Sequence, residues 1–119
     1  MAKIVLITKA GTRGKASAIT SKHIRMVTIT IDGINWVIQN ESVVRAINMF
    51  TERKNQLIVM NTTSNRKVVT VNFDEAPGMT IMISVISPAG VAMKEVTLTP
   101  EGITQLVGVL NSVKEFPDA

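Results

Sequence analysis

The strongest constraint on how this chain folds is a period of two. Val27, Ile29 and Ile31 alternate with Thr28 and Thr30, Asp32-Gly33 follows at once, and residues 34–39 resume an apolar run. Alternation of this kind gives a strand with one apolar face, and Asp-Gly supplies the left-handed backbone of a two-residue hairpin turn. A second hairpin is expected over 56–62 and 66–73 around Thr63-Ser64-Asn65. Met79, Ile81, Ile83 and Val85 mark a further alternating strand, which Ser87-Pro88-Ala89-Gly90 turns back into residues 91–98. Strands at 3–8 and 15–20 bring the expected number to eight.

Two segments break that rhythm. Asn40 is placed to cap a helix running to residue 54, with Glu41 and Arg45 four apart and Val43, Val44, Ile47 and Phe50 on one stripe. Thr99-Pro100-Glu101 is a stronger start: a hydroxyl cap, proline at the first helical position, and a carboxylate at the positive end of the dipole. Ile103, Leu106, Val107, Leu110 and Val113 follow at helical spacing until Pro117. The expected fold is therefore α+β, antiparallel sheets with two helices. It repeats a ββββα unit twice within one domain, over 1–55 and 56–119, with the seam near Asn55.

A chain of 119 residues with 45% hydrophobic and 18% charged residues is long enough to close one core and too apolar to stay disordered. There is no cysteine, which removes disulfides and thiolate metal sites. The run Ile4-Val5-Leu6-Ile7 is too short for a signal sequence or a spanning helix, so a cytoplasmic protein without membrane contact is expected.

Charge is unevenly spread. Residues 1–60 hold nine basic against three acidic residues, and residues 61–119 four against six. Six cations, Lys3, Lys9, Arg13, Lys15, Lys22 and Arg25, precede the first acid, Asp32. A folded basic flank suits a phosphate-bearing partner, and equally a solvated face that keeps a protein soluble.

Catalysis has little to stand on. His23 is the only histidine and has no local acid or nucleophile beside it, and no His or carboxylate pair has metal-ligand spacing. Asp74-Glu75 before Pro77-Gly78 is better read as a solvated turn than as an acid–base pair. The segment Gly11-Thr12-Arg13-Gly14-Lys15-Ala16 has the glycines of a phosphate loop but neither its full spacing nor the Ser/Thr after lysine. No enzyme, cofactor or metal is expected. The same segment still brings two glycines, Arg13 and Lys15 close to any phosphodiester chain, with Lys22 and Arg25 continuing the track. Aromatics are few: Trp36, Phe50, Phe73 and Phe116. The two central phenylalanines read as core, and Trp36 reads either as a base-stacking platform or as core. Met82 and Met93 fall opposite the apolar faces of their strands, which leaves a second apolar sheet face for core filling or for another subunit.

The order of elements resembles the Whirly/PC4 group of single-stranded DNA-binding proteins, built from four-strand-plus-helix units. Residues 66–116 resemble that unit most closely, through Val96-Thr97-Leu98-Thr99-Pro100-Glu101 at the strand–helix junction. Arg13-Gly14-Lys15-Ala16-Ser17-Ala18-Ile19 is similar to the Lys-Gly-Lys-Ala-Ala-Leu motif on the second strand of Whirly proteins. The chain also resembles small phage-encoded single-stranded DNA-binding cofactors of RNA polymerase, for which the host cytoplasm is the setting. The resemblance implies a non-enzymatic, sequence-independent binder of single-stranded DNA, or RNA, acting as a dimer or tetramer in replication or transcription. Lys9, Arg13, Lys15, Lys22, Arg25, Arg66 and Lys67 would meet phosphates and Trp36 a base. The alternatives are a protein–protein module acting on RNA polymerase and a β-sandwich virion component.

Overall fold

The computed structural model describes residues 2–74 and 77–114, and of Ala2 and Lys22 only the backbone. Glu75, Phe116 and Pro117 lie outside the described residues. The chain is α+β. Strands β1 (Ala2–Val5), β2 (Ala16–Ser21), β3 (Met26–Ile31) and β4 (Ile34–Ile38) form one antiparallel sheet in sequence order and lead into helix α1 (Asn40–Thr51). Strands β5 (Gln56–Asn61), β6 (Arg66–Asn72), β7 (Met79–Ser87) and β8 (Gly90–Leu98) form the second, followed by α2 (Pro100–Lys114). A single 3-10 turn at Lys22–Ile24 joins β2 to β3.

The turns follow from the residues that make them. Ile31 pairs with Ile34, leaving Asp32 (φ 47°) and Gly33 (φ 91°) as the two left-handed residues of the β3–β4 hairpin. Ser87 pairs with Gly90 across Pro88-Ala89, with Gly90 at φ 133°, open only to glycine. Thr99 caps α2 as its sequence position requires, its Oγ1 accepting from Gly102 N at 3.1 Å.

One buried apolar cluster draws on both units. Ala16, Ala18, Val27, Ile29 and Ile31 face inward from the first sheet, and Val69, Val71, Ile81, Ile83, Val96 and Leu98 from the second. The helices fill the space between, α2 lying against α1, β2, β3 and β8. Leu106 and Leu110 of α2 are fully buried there. Each such side chain contributes about 1.5–3 kcal/mol by leaving water, and Leu106→Ala would cost about 2–5 kcal/mol.

Three local expectations are corrected. Helix α1 is preceded by Gln39 at its N-cap, with no side-chain cap bond, so Asn40 is already helical. The helix ends at Thr51, because Arg53 turns left-handed (φ 54°) and donates to the carbonyls of Pro77 and Gly78 while its guanidinium lies 4.9 Å from the centre of the Phe73 ring. The first strand stops at Val5 rather than running to residue 8. Beyond it the chain leaves the first sheet and laces the edge of the second.

That lacing ties the two units together. Thr8 bridges Leu98, Lys9 N donates to Thr97 O (2.8 Å), and Thr99 N donates to Ile7 O (3.1 Å). Gln105 of α2 accepts from Ile7 N (2.9 Å) and donates to Val5 O (3.3 Å). An exposed edge strand is a template for unwanted pairing, and residues 7–9 cover this one. The approach needs Gly102: a Cβ there would stand 2.3 Å from Ile7 O.

Candidate nucleic-acid interface

Residues 9–15 continue along β8 before the chain enters β2. Gly14 presses against that strand, where a Cβ would meet Val96 Cγ1 at 2.8 Å and Glu95 O at 3.1 Å. Its neighbours Arg13 and Lys15 are both exposed. Lys9 and Arg13, with Thr12, Thr80, Glu95 and Thr97, line a shallow depression of about 500 Å³. In the register of β7 and β8, Thr80, Glu95 and Thr97 belong to the outer face of the second sheet, opposite buried Ile81, Val96 and Leu98.

The other side of the same edge is also basic. Lys94, one residue from Glu95, projects to the inner side and pairs with Asp32 in the β3–β4 turn (3.4 Å). Asp32 N in turn donates to Lys15 O (2.7 Å). Lys67 shares its face of β6 with buried Val69 and reaches across to donate to Asn35 O on β4 (2.6 Å). Lys67 and Lys94 thus reach one hairpin with their side chains, and exposed Lys15 is joined to it through its backbone carbonyl. Lys94 escaped the sequence reading because its role depends on the middle of β8 passing beside the β3–β4 turn, a juxtaposition no local pattern encodes.

Other expected contacts fall elsewhere. Lys22 and Arg25 sit beyond the far end of β2 from Lys15, about 20 Å away at 3.3 Å per residue. The single track of cations ahead of Asp32 is therefore divided into two groups. Arg66 points opposite to Lys67, as period two demands, and its Nε donates to Asn61 Oδ1 on the outer face of the second sheet (3.1 Å). Trp36 is core: it is 3% exposed and meets Phe50 edge-on with ring centroids 6.2 Å apart, so it offers no open ring face for a base.

A larger groove of about 840 Å³ lies between the edges of β4 and β5 over α1, lined by Val37, Ile38, Met49, Leu57 and Ile58. Its charged lining is Arg45, Glu52 and Lys54, of which Lys54 and Glu52 are paired at 3.0 Å. It therefore carries little net charge for an anionic chain. Among the described residues no group of three or more His, Asp or Glu side chains is placed to hold a metal ion. Nor is any helix among them long and apolar enough to cross a membrane. Comparison with family models, with curated proteins and with solved structures gives no match to this chain.

Proposed function

We propose that this protein binds single-stranded nucleic acid without reading its sequence, through a basic rim made of Lys9, Arg13, Lys15, Lys67 and Lys94. The observation that carries the reading is that Lys9 and Arg13 line one depression beside β8 while Lys94 and Lys67 reach the β3–β4 hairpin to which Lys15 is joined through its backbone, with Asp32 and Glu95 as the acids beside them. Five phosphate contacts release counterions, which makes binding strong at low salt and steeply salt-dependent. The rim carries no exposed aromatic ring, so phosphates and sugars dominate and sequence preference is weak.

The shape of the rim favours a single strand over a duplex. Lys9 and Arg13 lie toward the outer face of β8, whereas Lys94 and Lys67 reach from the inner face of the second sheet to the β3–β4 hairpin beside exposed Lys15. A flexible strand can turn round that edge, whereas a duplex stays straight over about 150 base pairs. Lys22 and Arg25 are left out of the site.

The test is fluorescence anisotropy with a labelled oligothymidine and a duplex of equal length over a series of salt concentrations. Binding that prefers the single strand and weakens with a log–log slope of about −3.5 is expected, five contacts at about 0.7 each. Arg13→Ala with Lys15→Ala should lower affinity several-fold and reduce the slope by about 1.4. Absence of binding at low salt, or preference for the duplex, would overturn the proposal.

A further inference from the structure

The depression between residues 9–13 and β8 holds a group that phosphate binding alone does not explain. On the outer face of β7 and β8, Thr80 and Thr97 are register partners that line it, their hydroxyl oxygens 3.0 Å apart. Lys9 is held against the same strand by its backbone (N to Thr97 O, 2.8 Å), and Thr12 N closes a turn back to Lys9 O (3.0 Å). Glu95 stands two residues from Thr97 on the same face, about 6.8 Å along the strand. It is exposed, and its cross-strand neighbour is Met82. Among the described residues its carboxylate has no ion-pair or hydrogen-bond partner. An unpaired carboxylate thus lines the same depression as Lys9 and Arg13.

A carboxylate repels phosphates, so it lowers affinity for any strand that gives it no hydrogen bond in return. It can only accept such bonds. The sugar–phosphate backbone of DNA likewise offers acceptors alone, whereas each ribose of RNA adds a 2′-hydroxyl that is both donor and acceptor. A hydroxyl donating to a carboxylate makes a charge-assisted hydrogen bond, about twice as strong as a neutral one. The threonine pair supplies the complement: one hydroxyl donates to the other, which leaves the second proton for an outside acceptor. Cations, carboxylate and hydroxyls in one depression therefore match a phosphate, a ribose hydroxyl proton and a ribose oxygen.

We infer, building on the rim proposed above, that the depression beside β8 is a ribose site in which Glu95 accepts from a 2′-hydroxyl, making RNA the preferred single strand. The probes are labelled oligouridine, oligodeoxyuridine and 2′-O-methyl-oligouridine of equal length, which share one base, followed by fluorescence anisotropy at low salt. Oligouridine should bind about three- to tenfold more tightly than oligodeoxyuridine. The methylated strand keeps the ribose oxygen but loses its proton, and it should fall to the deoxy level or below. Glu95→Ala should abolish the discrimination while holding oligodeoxyuridine at least as tightly as the parent does, because a repelling charge is gone. Circular dichroism checks that this variant is folded. Equal affinity for oligouridine and oligodeoxyuridine, a preference shared by the methylated strand, or a preference that survives Glu95→Ala would each overturn the ribose site and leave the rim standing. No binding to any of the three strands overturns both.

Discussion

Two glycines of α2 offer a matched pair in which the same substitution takes opposite signs. Gly102→Ala places a Cβ 2.3 Å from Ile7 O, 3.2 Å from Leu98 Cβ and 3.3 Å from Ile7 C. Two of those atoms are backbone and Leu98 is fully buried, so relief requires the 7–9 segment to move by about 1 Å. Overpacking of that kind costs about 1–3 kcal/mol. Movement of Ile7 also weakens the two bonds it accepts from Thr99, at about 1 kcal/mol each. Removing a helical glycine returns up to about 1 kcal/mol. The net expectation is destabilisation by about 2–3 kcal/mol, which lowers the melting temperature by roughly 8–12 °C for a chain of this size. Gly108→Ala in the same helix meets nothing within 4 Å and should stabilise by about 0.5–1 kcal/mol. Urea and thermal denaturation of both variants decide the matter. A Gly102→Ala protein as stable as the parent would refute the lacing of residues 7–9 against α2. Because that segment leads into the rim, Gly102→Ala should also weaken nucleic-acid binding, while Gly108→Ala leaves it unchanged.

Three further outcomes follow from the geometry. Asp32→Asn removes the carboxylate beside Lys94 while keeping a residue suited to φ 47°, so oligonucleotide affinity at low salt should rise about two- to fivefold with stability changed by less than about 1 kcal/mol. Thr99→Ala loses the cap on Gly102 N and the hydroxyl bond to Ile7 O, and urea denaturation should register a loss of about 1–2 kcal/mol. Trp36 is the only tryptophan and is buried, so its emission should be blue-shifted, protected from iodide and unchanged by bound oligonucleotide; strong quenching on binding would place a base against it.

Where local chemistry decides the structure, it can be read directly from the chain. Asp32-Gly33 specifies its hairpin, Thr99-Pro100-Glu101 starts its helix, and the alternation of Val27, Ile29 and Ile31 fixes which face is buried. Where distant segments meet, it cannot. Residues 7 and 8 read as the end of a strand in their own sheet, but their backbone partners lie in β8 and α2. Arg53 ends α1 early through partners more than twenty residues away. Lys22 and Arg25 leave the rim because a six-residue strand separates positions that the charge pattern treats as neighbours, and Lys94 joins it because β8 passes beside the β3–β4 turn. Trp36 alternates with exposed Asn35 and Val37, so its period was legible, but its burial depends on Phe50 arriving from α1.

The most direct test of the basic rim is to titrate oligothymidine into isotopically labelled protein and follow the backbone amide resonances at low salt. The account predicts shifts concentrated at residues 9–15, at Asp32–Asn35, and at Lys67 and Lys94, with Lys22 to Arg25 quiet. Shifts centred on Lys22 to Arg25 or on the β4–β5 groove would contradict it.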